Sequence, residues 1–340
     1  MAQTGHSDDS AITSGLGRWL ARRPEVSDVV VTDPRRPSAG YSSETVIVDT
    51  SWSECGARHR APMVLRMAPV EVGTFRHYDL VSQWQAQMAA AAVGVPVADP
   101  EVETDAGWLG APFMVMPLIE GTIIGAVAHL DRWLGAHDLA DRGRVYRNFV
   151  ATLCAIHRAD PSSAPGVARR DNLAELAFWD DYLLWSSDGE PVATLVRAMD
   201  WCRRHRPAAE SSSVLLWGDV RFENMIFGDH LQPLAVLDWD MTSVGAPEHD
   251  LAWFTSLDLV MHHIFGERLA GFPDRAATID LFEEGSGRAV RDLEWYESLA
   301  ITRSAAVMTR ISYLRRAAGE PLMLPIDDNP ILDLLETRLR

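Results

Sequence analysis

Between Val26 and Met67 the apolar residues come in three short runs, VVV, ETVIV and PMVLRM, separated by Gly, Ser, Pro and charged turns. Runs of this length and β-branched content predict strands, and their close succession predicts a small antiparallel sheet. Ahead of them, TSGLGRWLARR at 13–23 predicts a short helix stopped by Pro24. Behind them, YDLVSQWQAQMAAAA lacks alternation and is rich in helix formers, which predicts one helix ending before Gly94 and Pro96. PFMVM predicts a further strand that leads at Pro117 into LIEG.

Past this point the period changes. In LADRGRVYRNFVATLCAIH the residues Val145, Phe149, Leu153 and Ile156 fall at helical spacing. DNLAELAFWDDYLLW and PVATLVRAMDWCRRH continue the helical pattern, and two long helices are expected after Pro247 and near Asp292. Inside this half only VLLW, NMIF and LAVLDW read as strands. The expected class is α+β: a small antiparallel-sheet lobe over 1–117, a larger helical lobe over 118–340, and a cleft between them.

Composition narrows the chemistry. A chain of 340 residues with 47% apolar content can bury a core in each lobe. The formal net charge of -17 argues against a general nucleic-acid binder, which needs a basic face to displace counterions from phosphates. All 31 basic residues are arginine, a usage that codon bias explains more simply than chemistry. The consequence is chemical all the same: no pyridoxal Schiff base, no lysine nucleophile and no Walker A lysine is available.

Cys55, Cys154 and Cys202 are far apart and have no metal-ligand spacing, which suits a reducing compartment. The first residues lack a basic-then-apolar leader, and no apolar run approaches the ~20 residues of a membrane span. A cytoplasmic protein with no membrane and no nucleic-acid partner is expected.

The polar residues of greatest interest lie in LWGDVRFENMIFG at 216–228 and VLDWDMTSVG at 236–245. VLLWGD is an apolar strand ended by Gly218, so Asp219 emerges where the chain leaves the sheet. Arg221 and Asn224 follow in a short loop before MIF resumes a strand, and the turn GDHLQP returns the chain through LAVL to Asp238. Two strand ends then hold Asp219, Asn224 and Asp238 side by side. Two carboxylates and an amide oxygen are hard donors suited to a magnesium-nucleotide site, with one acid left to handle a proton.

In these motifs the chain resembles the aminoglycoside phosphotransferase and choline kinase-like branch of the protein-kinase-like fold. The family's HGDxxxxN loop corresponds to WGDVRFEN, and its DWE or DFG segment to DWD. The likeness is nearest to bacterial phosphotransferases akin to the kinase-like domains fused to some acyl-CoA dehydrogenases. It implies a bilobal fold and an ATP-dependent kinase that transfers the γ-phosphate to a small-molecule hydroxyl, with ATP and Mg2+ held between the lobes. It makes Asp219 the catalytic base and Asn224 and Asp238 the magnesium ligands, and it places Arg221 near the transferred phosphate. Asp240 is a weaker candidate beside the metal, and Asp250 in PEHDLAW corresponds to an acid that braces the loop.

In the first half the resemblance assigns Gly40, Ser42 and Ser43 of SAGYSSETVIVD to the turn over the nucleotide phosphates. Arg66 stands where most kinases carry a phosphate-pairing lysine, and Met116 and Leu118 would offer backbone groups to the adenine. Three positions depart from the pattern: Arg66 itself, Gln83 in place of the usual helical glutamate, and Trp217 in place of the histidine before GD. They motivate an alternative, a pseudokinase or ligand sensor without turnover. As acceptor, a hydroxyacyl-type or other alcohol is favoured slightly over an aminoglycoside.

Overall fold

The computed structural model describes residues 8–37, 44–69 and 73–339. The chain divides into two compact units, one of Met1–Trp84 with Ala98–Ile119, the other of Gln85–Val97 with Glu120–Arg340. The first unit thus extends two residues past the expected boundary at 117, and a short excursion over 85–97 joins the second.

In the first unit, helix α1 (Asp9–Leu20) precedes strands β1 (Val26–Arg35), β2 (Glu44–Glu54) and β3 (Ala57–Met67). Helix α2 (Leu80–Ala91) runs from this unit into the segment that belongs to the second, and β4 (Glu101–Glu103) and β5 (Phe113–Pro117) complete the sheet. The order is β1-β2-β3-β5-β4, antiparallel throughout. β1 is irregular against β2 where Asp28 and Asp33 adopt positive φ, a backbone state that Asp tolerates better than most residues.

Helix α1 starts at Asp9, four residues before the expected start. The Asp8 side chain accepts a hydrogen bond from the Ser10 N-H and caps it, a signal that the apolar pattern does not carry. Its Ile12, Leu16, Trp19 and Leu20 pack on one face of the sheet, against Val46, Val48, Leu65, Met67, Phe113 and Val115. Each such burial is worth about 1.5–3 kcal/mol against full exposure. The alternate residues Met114 and Met116 face the other way and pack with Leu80 and Ala98. The period of two along β5 therefore serves two cores.

The second unit is mainly helical: α3 (Arg132–Ala136), α4 (Leu139–Ile156), α5 (Asn172–Ser186), α6 (Ala193–Arg204), α7 (Glu248–Phe265), α8 (Arg275–Ser286), α9 (Leu293–Ala317) and α10 (Pro330–Arg338). Helix α9 is the axis, and α5, α6, α7 and α10 pack around it. The two expected closing helices are α7 and α9, yet α8 lies between them and α10 follows. Short polar caps, Asp274 for α8 and Asn329 for α10, start these extra helices.

The strands of this unit are β6 (Thr122–Ile123), β7 (Val214–Leu216), β8 (Met225–Phe227), β9 (Pro233–Val236) and β10 (Ser243–Gly245). β7 pairs with β10, and β6-β8-β9 form a three-stranded sheet. β6 and β10 are additions to the expected set, too short for an apolar pattern of their own. Both are edge partners that the longer pattern recruits.

Candidate active site

The loop after β7 carries the WGDVRFEN motif. Gly218 has φ +94°, and a Cβ there would lie 2.2 Å from the Met241 backbone oxygen. Only glycine fits, because both the left-handed backbone and the close approach exclude a side chain. Asp219 leaves the strand at this turn with its side chain 14% exposed.

Three groups hold the Asp219 carboxylate. Asn224 Nδ2 donates to Oδ2 at 2.7 Å and also to the Asp219 backbone oxygen at 3.0 Å. Trp253 Nε1, from α7, donates to Oδ1 at 2.9 Å. Arg221 Nε lies 3.1 Å from Oδ2, a charge contact in which the N-H is not aligned for a hydrogen bond. Arg221 also reaches Glu223 at 3.6 Å.

Burial pushes the Asp219 pKa up from its ordinary value; the Arg221 charge opposes this, the Asp238 charge adds to it, and the Asn224 and Trp253 hydrogen bonds oppose it. The net direction is upward, toward the range in which a carboxylate can take up a proton. Glu223 is also raised by burial, against the pull of Arg221.

Asp238 arrives from the other strand end. The Leu237 N-H donates to the Asn224 carbonyl at 2.8 Å, which fixes the end of β9 against the 3-10 turn Phe222–Asn224. Asp238 itself has φ +53°. The expected juxtaposition of Asp219, Asn224 and Asp238 is therefore present in the backbone pairing and in the Asp219–Asp238 charge interaction.

Among the described residues no group of three or more His, Cys, Asp or Glu could hold a metal alone. An amide oxygen and one carboxylate, Asn224 and Asp238, do fit magnesium. That ion commonly takes one or two protein carboxylates and fills its other positions with phosphate oxygens and water. Asn224 spends its Nδ2 on Asp219, so Oδ1 is the atom of its amide suited to a metal.

Behind the loop stands Asp250, 1% exposed. It accepts hydrogen bonds from the Trp217 N-H at 2.8 Å and the Gly218 N-H at 2.9 Å, and His157 Nε2 lies 2.9 Å from its Oδ2. The acid that the resemblance assigned to bracing the loop thus binds its backbone directly. Trp217 is fully buried, packs on Phe149 and Trp239, and donates through Nε1 to the Leu237 carbonyl at 2.8 Å. The departure before GD is thereby a tie between the two strand ends.

Trp253 is a residue of this site to which the sequence motifs assign no role. Its indole lies beneath Arg303, whose guanidinium carbon is 5.0 Å from one of its rings and 4.9 Å from a Trp179 ring. Glu175 holds Arg303 at 3.5 Å. The DLAW spacing put Trp253 three residues after Asp250, and that was the one available signal.

The residues expected to meet nucleotide belong to the first unit. Arg66 is half-buried on β3, in register with Thr45 and Met114. Met116 is buried on β5 opposite Val64, and the Leu118 N-H donates to the Pro62 carbonyl at 3.1 Å. That bond commits the Leu118 donor to the sheet. Gln83 is 4% exposed on α2, so it is not a solvated helix residue. Gly40, Ser42 and Ser43 lie outside the described residues.

An antiparallel sheet unit, a helical unit and a braced WGDVRFEN loop followed by DWD define a kinase-like phosphotransferase fold. The profile of the phosphotransferase enzyme family matches residues 33–294, and the chain belongs to that family. It is similar in structure to a Ralstonia eutropha JMP134 protein assigned as an aminoglycoside phosphotransferase, with TM-score 0.67 and 21% identity over 98% of this chain and 95% of that one.

It is also similar to a thermostable mutant of the aminoglycoside phosphotransferase APH(4)-Ia, solved as a ternary complex with AMP-PNP and hygromycin B. There the TM-score is 0.58 and the identity 13%, over 96% of this chain and 98% of that one. At these identities the likeness is one of fold. Acyl-CoA dehydrogenase family member 11 of Pongo abelii is 22% identical over 232 residues. The match takes in 64% of this chain and 29% of that relative's own length.

Proposed function

We propose that the protein is an ATP-dependent kinase that transfers the γ-phosphate to a hydroxyl of a small molecule. The observation that carries this reading is the Asp219 carboxylate, held by Trp253 and Asn224 and raised in pKa by burial. A protein that bound nucleotide without turnover would have no need of a base held in this way. Family membership and the AMP-PNP complex of a similar fold support the choice of nucleotide.

Asp219 accepts the proton of the acceptor hydroxyl as the new oxygen–phosphorus bond forms and the bond to the ADP leaving oxygen breaks. Trp253 and Asn224 keep both carboxylate oxygens aimed, so little reorganisation is left for the reaction. Arg221 carries its charge beside the base, where a guanidinium can meet the transferred phosphate. Asn224 Oδ1 and Asp238 would hold magnesium, whose charge offsets that of the phosphates. Arg66, Met116 and Leu118, with Gly40, Ser42 and Ser43, are assigned to the nucleotide; of Leu118 the carbonyl is the group left to serve.

The test is product formation. Purified protein incubated with Mg-ATP and a panel of hydroxylated small molecules should yield a phosphate ester detectable by mass spectrometry. Nucleotide binding without ester formation across acyl, alkyl, sugar and aminoglycoside alcohols would support a sensor instead.

A further inference from the structure

Next to the catalytic loop the second unit contains a cavity of about 140 Å³. One wall is the loop itself, through Arg221, Phe222 and Glu223, and Val127 and Leu257 contribute to the lining. The aromatic side is a packed cluster: Phe222 lies 5.7 Å from Tyr146, 5.6 Å from Phe254 and 5.2 Å from Phe272, measured between ring centres. The Tyr146 hydroxyl is already bonded to Thr278 Oγ1 at 2.7 Å, so the ring presents an apolar surface. About 150 Å³ is the room that a benzene-sized group occupies in an apolar protein cavity.

The charges around the cavity are largely paired. Asp258 meets Arg268 at 2.9 Å and Glu223 meets Arg221 at 3.6 Å, while Glu267 stands exposed. Burial pushes Asp258 up in pKa, so this wall resists rather than invites charge. A polycation needs several unpaired carboxylates, and this lining does not offer them. Arg221 spans the gap, since the side chain that lines the cavity also touches Asp219.

We propose that this cavity receives the acceptor, and that the acceptor is an alcohol with an apolar alkyl or aryl body rather than a polycationic sugar. The inference rests on the phosphotransferase reading. The apolar body fills the aromatic pocket, and the hydroxyl is directed past Arg221 to the base. Selectivity then comes from burial, which favours each added methylene by roughly fourfold in affinity.

The test uses the full chain with straight-chain alcohols from 1-butanol to 1-octanol, 2-phenylethanol and kanamycin. Binding is read by ligand-observed NMR, and transfer by ester formation from Mg-ATP. Expected is affinity that rises with chain length, ester formation from the longer alcohols, and at least a tenfold loss of both on Leu257→Glu, with nucleotide affinity unchanged. Val127→Trp, which fills the cavity from another segment, should act alike and guards against a folding failure of the first variant.

Affinity independent of chain length, or preferred transfer to kanamycin, overturns the proposal. Octanol bound in the cavity while transfer goes elsewhere overturns it too. If no acceptor of any class is phosphorylated, the kinase reading fails, and the binding arm still decides whether the cavity is selective for apolar groups.

Discussion

Trp253 Nε1 donates to Asp219 Oδ1 at 2.9 Å, and with this bond a helix residue 34 positions away orients the carboxylate at the centre of the site. A cation over the indole, Arg303, strengthens the donor by drawing on the ring electrons. Asp219 therefore has its geometry set from α7 as well as from its own loop.

Replacing Trp253 with Phe keeps an aromatic ring, though a smaller one, and removes the donor. A hydrogen bond to a charged group is worth about 1.5–3 kcal/mol, or roughly one to two pKa units. Because the bond favours the ionised form, its loss should raise the Asp219 pKa further and move the acidic limb of the kcat/KM profile upward by about a unit. An unmoved limb with an unchanged kcat would show that the indole is packing only.

Asp250 makes a different prediction, since it braces the loop and does not face the reaction. An asparagine side chain offers one acceptor oxygen where the carboxylate offers two. Asp250→Asn should leave at least one of the Trp217 and Gly218 N-H groups buried without a partner, at about 1–3 kcal/mol. Chemical denaturation should register that loss, and kcat should fall with it as Asp219 loosens. Full stability in the variant would remove the brace from the account.

His249 gives the fold a pH dependence of known sign. Its Nε2 lies 2.9 Å from Asn172 Oδ1, and burial lowers its pKa from 6.5 to about 4, with Glu175 opposing and Arg303 assisting. The unfolded chain binds this proton between those values while the folded chain does not. Stability from this group is thus full above pH 6.5 and lost as pH falls toward 4, by at most about 3 kcal/mol. Denaturation at pH 7 and pH 4.5 should show a smaller drop for His249→Gln than for the unmodified protein; an equal drop would assign the acid sensitivity elsewhere.

What the sequence made legible follows the range of the interactions. The Asp219–Asn224–Asp238 grouping could be read because a loop and one hairpin bring it together within twenty residues. The α+β division could be read because the apolar period changes near Leu118. The Trp253 donor, the His157–Asp250 contact across 93 positions and the Glu175–Arg303 pair depend on how α4, α5, α7 and α9 pack, which no local pattern encodes. The starts of α1, α8 and α10 were missed or misplaced because one capping side chain sets each of them.

Asp219→Asn removes the carboxylate proposed as the base and keeps a side chain of the same shape. The measurement pairs nucleotide affinity with the rate of ester formation from the alcohol that gives the fastest turnover. The predicted result is a fall in kcat of about 100-fold or more with nucleotide affinity kept, the loss expected when a positioned base is removed. Transfer at the unmodified rate by the variant would exclude Asp219 as the base.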